Sequence, residues 1–189
     1  MRSDVHNANS GKFGDMDSPV FRDWRQEVLR QSDDTDTAIT LTVAQSGALM
    51  LYDEDEAYAI TLPAITSGDI GVNYTFMETI ASNNDRTIDT AYDNDYYVGS
   101  LVVLPSAVWA SGTAQDGLAA NTIANAANDV QLTFDDNLAN GAGGVGSIVT
   151  LTAIVAGNTG SGGGAKLVWA VTGQMFTADP NSDGTAIFT

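Results

Sequence analysis

The chain has 189 residues, no cysteine, one histidine, and 24 acidic against 7 basic residues, for a net charge of −17. Its length fits one domain, or one domain with an arm, and 43% hydrophobic with 16% charged residues describes a globular body rather than a disordered one. The charge argues against direct binding of nucleic acid, and the lack of cysteine with His6 as sole histidine removes thiol nucleophiles, Cys/His zinc sites and a Ser-His-Asp triad.

Residues 1–17 show no periodicity and are rich in Asn, Ser, Gly and Asp, so they read as an extended arm. A helix is expected over Ser18–Gln31. Ser18 can cap it, Pro19 suits its first position, and Val20, Trp24 and Val28, flanked by Phe21 and Leu29, form an apolar stripe. A helix of about 14 residues is marginal alone in water, so the stripe must dock, either on the protein's own sheet or on another subunit. The segment 1–36 holds five of the seven basic residues (Arg2, Lys12, Arg22, Arg25, Arg30), whereas the remainder has only Arg86 and Lys166 against sixteen acids.

From Thr37 the apolar period changes to two. Ile39, Leu41 and Val43 alternate with threonines. Val72, Tyr74, Phe76 and Ile80 share a face with Glu78, and Val130, Leu132 and Phe134 alternate with Gln131 and Thr133. Val149, Leu151, Ala153 and Val155 follow, then Leu167, Trp169 and Val171. Such alternation is what a half-buried strand requires. Shorter strands are expected at Ala48–Tyr52, Tyr58–Leu62, Tyr96–Leu104 and Thr185–Thr189, separated by Gly, Ser and Asp turn signals. Pro105–Asn128 reads as a long excursion with a short helical turn around Leu118–Ala127. No apolar run approaches the ~20 residues of a membrane helix, and no apolar leader is read near the N-terminus.

Several motifs have the outline of a chemical site. The glycines of 141–146 match a dinucleotide fingerprint in spacing, but a strand follows where a helix is needed, so they read as a hairpin loop. Asp179–Gly184 matches the opening of a calcium loop without its twelfth-position carboxylate, and reads as a polar turn. Asp53, Glu54, Asp55 and Glu56 crowd one expected hairpin tip. They lack the buried-acid asymmetry of a glycosidase pair and read as a solvated turn, with cation binding or contact with a basic neighbour as the rivals. Asp85, Asp89, Asp93 and Asp95 interleave with Tyr92, Tyr96 and Tyr97, a pattern that reads as edge-strand and loop packing, with a protein interface or a sugar platform joined by Trp109 as the rivals. Asn73-Tyr74-Thr75 is formally a glycosylation sequon, but it lies inside an expected strand.

The run Ala38–Gly47, then Leu49–Tyr52, Tyr58–Pro63 and Gly71–Phe76, with Gly146–Leu151 and Lys166–Gly173 closing, resembles a β-domain of tailed-phage virion proteins, in particular capsid decoration (cement) proteins. The resemblance covers about Ala38–Gly173, leaves Pro105–Asn128 unmatched and rests on short motifs. It implies a non-enzymatic virion protein on the outer surface of the capsid. The expected fold is all-β: an antiparallel β-sandwich, jelly-roll-like, over 37–189, with an N-terminal arm and one short α-helix over 1–36. The major capsid protein is the expected partner, with homo-oligomerisation to a dimer or trimer left open. No cofactor, metal, nucleic acid or membrane is expected. The arm and helix lie outside the resemblance. On chemical grounds alone, Phe13, Val20, Phe21, Trp24 and Val28 are the expected apolar contacts with the shell, and Arg22, Arg25 and Arg30 its carboxylate partners. The rival is a carbohydrate- or receptor-binding module of a head or tail fibre. A polysaccharide hydrolase and a calcium-dependent adhesin stand further back.

Overall fold

The computed structural model describes residues 26–34, 37–92, 95–105, 119–123, 130–135, 142–157, 166–177 and 187–188. Among them are eleven strands: β1 (Val28–Arg30), β2 (Ala38–Thr40), β3 (Leu49–Tyr52), β4 (Tyr58–Thr61), β5 (Asn73–Glu78), β6 (Arg86–Asp89), β7 (Tyr96–Pro105), β8 (Ala119–Ile123), β9 (Gln131–Phe134), β10 (Gly144–Val155) and β11 (Val168–Thr177). They form a seven-stranded sheet, β1-β3-β5-β10-β11-β7-β8, and a four-stranded sheet, β2-β4-β6-β9.

The period-two pattern produces the layering. In β3, β4, β5 and β6 every second side chain is buried, and β10 does the same through Val149, Leu151 and Ala153. These inward faces meet across one hydrophobic cluster that draws on both sheets. Tyr52 of β3 lies 5.4 Å from the ring of Phe134 of β9, and the Tyr97 hydroxyl of β7 donates to the Ile88 carbonyl of β6 at 2.8 Å. Of the residues expected in the core, Leu41, Val72, Phe76, Leu132, Leu151 and Trp169 are buried, and Ile39 packs against them half-buried.

Pairing differs from the antiparallel expectation, because both sheets are mixed. β1, β3 and β5 run parallel to one another, as do β2, β4 and β6, and β7 is parallel to β11. The reason lies in the turns. From β1 to β7 each strand enters the sheet opposite to the last, so Gln45–Gly47, Asp53–Ala57 and Thr66–Gly71 are arches between layers rather than hairpins within one. Each arch reverses the chain, so strands two apart run the same way. The intervening strand supplies the crossover that parallel pairing requires. Where consecutive strands stay in one sheet, as in β7–β8 and β10–β11, they are antiparallel.

Local chemistry fixes the arches. Thr42 and Gln45 form a reciprocal cap on the 3-10 turn Val43–Gln45, and Gly47 continues it at φ +88°. Thr66 donates both its N–H and its hydroxyl to Asp69. Two interior glycines allow the long strands to approach closely. A Cβ on Gly99 would sit 2.2 Å from the Val171 carbonyl oxygen, and one on Gly173 would sit 2.2 Å from that of Ile148.

Three further expectations change. The helix over Ser18–Gln31 does not extend through its last turn: Val28–Arg30 is strand β1, and Gln31–Asp33 is a 3-10 turn. The apolar residues there satisfy an edge of the larger sheet, and β1 pairs with β3 on the N-terminal side of the expected boundary at residue 36. The rest of that helix and the arm lie outside the described residues. The helical turn around Leu118–Ala127 is instead strand β8 where described, held against β7. The glycine-rich segment is not a hairpin within one sheet, since it joins β9 to β10 across the layers. Gly143 is packed so closely that a Cβ would lie 2.6 Å from the Asp135 nitrogen.

Candidate interaction surface

Two surfaces gather the residues with chemical potential. The first is the outward face of the larger sheet. Register places Val28, Leu49, Thr75, Thr150, Thr172 and Ser100 in one row across β1, β3, β5, β10, β11 and β7. The next row runs Arg30, Leu51, Met77, Ile148, Gln174 and Val102, and on the other side Asn73, Thr152, Ala170 and Val98 line up. All are exposed or half-buried. Thr75 and Thr150 hydrogen-bond across the strands at 3.1 Å.

Val28 is 46% exposed and Arg30 projects from the same strand edge, so these two candidate contact residues stand together at the β1 margin of this face. Arg30, about half exposed, pairs with the largely covered Asp53 at 3.1 Å, a surface contact of small net stabilisation. Beside β1, an open cleft of about 340 Å³ runs between the sheets, lined by Val28, Leu29, Ile39, Met50 and Tyr58. Phe13, Val20, Phe21, Arg22, Trp24 and Arg25 lie outside the described residues.

The second surface is the acidic arch 53–56, which is tied down rather than freely solvated. Asp53 accepts from the N–H and hydroxyl of Ser32 and from Arg30. Partial burial raises its pKa, but these donors more than offset that and hold it below the ordinary carboxylate value. Asp55 accepts from the Ser82 hydroxyl, the Asn83 N–H and the Asn84 side chain, which lower its pKa too. The carbonyl of Glu54 accepts from Arg86, and that of Glu56 accepts from Gln31. Among the described residues no three His, Cys, Asp or Glu side chains are placed to hold a metal ion.

Beneath the arch lies a buried ion pair. Glu78 occupies an inward position of β5 and is fully buried, and Arg86 Nη1 stands 3.3 Å from its carboxylate. The guanidinium also reaches the Asn84 carbonyl and lies 5.8 Å from the Tyr52 ring centroid. Burial, and after it the Glu78 charge, push the Tyr52 phenol well above its ordinary pKa, so it stays neutral. The signals were a carboxylate on an apolar face and one of only two basic residues after position 36.

The tyrosine–aspartate region is largely structural where it is described. Tyr97 is in the core, and the half-buried Tyr96 ring carries the Lys166 ammonium at 5.5 Å. Asp95 is buried and accepts the Leu167 N–H at 3.1 Å. Asp93, Trp109 and the whole of Asp179–Gly184 lie outside the described residues. Asn73 begins β5 and turns its amide back onto the Gly71 carbonyl. Compared with known proteins, the chain matches no family model, no curated protein and no solved structure.

Proposed function

We propose that the chain is a non-enzymatic virion structural protein, a capsid decoration (cement) protein on a jelly-roll-like sandwich, which binds the outer surface of an assembled head shell and stabilises it. The single observation that carries the reading is the position of β1. The segment bearing Phe13, Val20, Phe21, Arg22, Trp24 and Arg25 joins the fold at an exposed sheet edge, where Val28 and Arg30 already face outward. β1 is an edge strand, so contacts made there leave the shared core undisturbed. Each apolar side chain fully buried on the shell contributes ~1.5–3 kcal/mol, and the arginines meet shell carboxylates. Repeated over a particle, such burial opposes internal pressure without covalent chemistry.

The test is to incubate the purified chain with assembled shells of its own particle and, in parallel, with a glycan array. Saturable binding to shells and none to glycans supports decoration. Glycan binding without shell binding assigns the chain to a receptor-recognising module instead.

A further inference from the structure

We propose that the outward face of the seven-stranded sheet is a self-association surface, on which two copies of the chain pack sheet to sheet about a two-fold axis. The first argument is charge. The chain carries −17, yet the outward positions of β3, β5, β10, β11 and β7 hold no Asp, Glu, Lys or Arg: Leu49, Leu51, Asn73, Thr75, Met77; Val98, Ser100, Val102; Ile148, Thr150, Thr152; Ala170, Thr172, Gln174. Among the described residues, charge stands at the margins of this face, in Glu27 and the Arg30–Asp53 pair at the β1 edge and in Lys166 above Tyr96 at one end. Most of the described carboxylates instead occupy arches, the smaller sheet and the core, as with Asp53, Asp69, Asp85, Asp89 and Glu78. Two copies meeting on the uncharged face avoid close like-charge contact, and interface cores are depleted in charge for this reason.

The second argument is self-complementarity. A two-fold interface brings a patch onto itself, so its groups must suit their own kind. Hydroxyls and side-chain amides both donate and accept, and the row Thr75, Thr150, Thr172, Ser100 lies beside the largely aliphatic row Leu51, Met77, Ile148, Val102. A carboxylate-rich face has no such property.

The third argument is area. Five strands about 4.8 Å apart and three side-chain rows about 6.8 Å apart give a footprint of about 24 by 20 Å. Two such faces bury roughly 1,000 Å², which is the size of a weak, reversible complex rather than an obligate one. The dimer should therefore be reversible and concentration-dependent. The proposal goes beyond the decoration reading and does not rest on it, since a free dimer is measured in the absence of any shell.

The experiment is sedimentation of the full chain from about 1 to 500 µM, with Thr172→Glu, Thr172→Lys and their equimolar mixture. Thr172 is exposed near the middle of the face, so either substitution leaves the core untouched, and melting temperatures check this. The unaltered chain should dimerise, each variant alone should associate at least tenfold more weakly, and the mixture should recover association through the opposed charges. A chain that stays monomeric throughout overturns the proposal, including the case in which Thr172→Glu impairs shell binding, since the face then serves the shell. Association unchanged in Thr172→Glu, or not recovered in the mixture, overturns it as well.

Discussion

Replacing Arg86 with methionine keeps most of the apolar stem and deletes the charge that stands 3.3 Å from the fully buried Glu78. Truncating one partner of a buried ion pair costs about 3–5 kcal/mol, because the remaining charge keeps its desolvation penalty and loses its counter-charge. The same substitution removes the donors to the Glu54 and Asn84 carbonyls, which tether the acidic arch and the loop before β6. A loss of about 4 kcal/mol would take about a quarter or more of an ordinary domain stability of ~5–15 kcal/mol. It would lower the melting temperature by roughly 8–16 °C for a chain of this size. Glu78→Leu should lose a similar amount by stranding the guanidinium. The double variant Glu78→Leu/Arg86→Met should return to within about 2 kcal/mol of the unaltered protein, because an apolar pair of similar volume has no charge to desolvate. Urea unfolding of the four proteins at pH 7 closes the cycle. An Arg86→Met loss under about 1 kcal/mol, or a double variant losing the sum of the singles, would refute the reasoning.

Four further outcomes follow from the geometry and the charge. Gly173→Ala should destabilise by several kcal/mol or prevent folding, since its Cβ would lie 2.2 Å from the Ile148 carbonyl oxygen at φ +152°; urea midpoints measure this. Asp85 stands next to the β6–β9 pair Arg86↔Phe134, opposite Asp135, and burial together with that hydrogen-bonded carboxyl raises its pKa. A raised folded-state pKa means stability present below the unfolded value and lost as pH rises through the folded one. Asp85→Asn should therefore raise the melting temperature at pH 7, by the equivalent of roughly half a kcal/mol, and leave it unchanged well below pH 4. Asp53 and Asp55, whose pKa values are lowered, act oppositely, with stability present above the ordinary carboxylate range and lost on acidification. At a net charge of −17, moderate salt should raise the melting temperature by screening self-repulsion, and a flat or falling curve would remove that argument.

Much of the layering was legible because burial follows period two. Tyr74, Phe76, Leu132, Leu151 and Trp169 could each be placed inward from alternation alone. Sheet membership was not legible. The turn at Gln45–Gly47 has the same residue types whether it closes a hairpin or arches between layers, and only the pairing of β2 with β4 distinguishes them. The helix through Val28–Gln31 failed at its end because a four-residue apolar spacing also serves a short edge strand, and pairing of β1 with β3 outweighs a weak helical propensity. The outward face was present in the sequence as threonines at polar positions of an otherwise acidic chain. It became a surface only when register aligned Thr75, Thr150 and Thr172. The Glu78–Arg86 pair needed the third dimension, since the two residues lie in different sheets.

The attachment claim is tested most directly by measuring occupancy of assembled shells, free of DNA, by the full chain and by its Trp24→Ala variant. A large aromatic at the centre of a contact contributes ~2 kcal/mol or more, so the account predicts saturable binding by the unaltered chain. For the variant it predicts an affinity about thirtyfold weaker at an unchanged melting temperature. Equal occupancy by the two proteins, or no binding by the unaltered chain, would contradict attachment through the N-terminal segment.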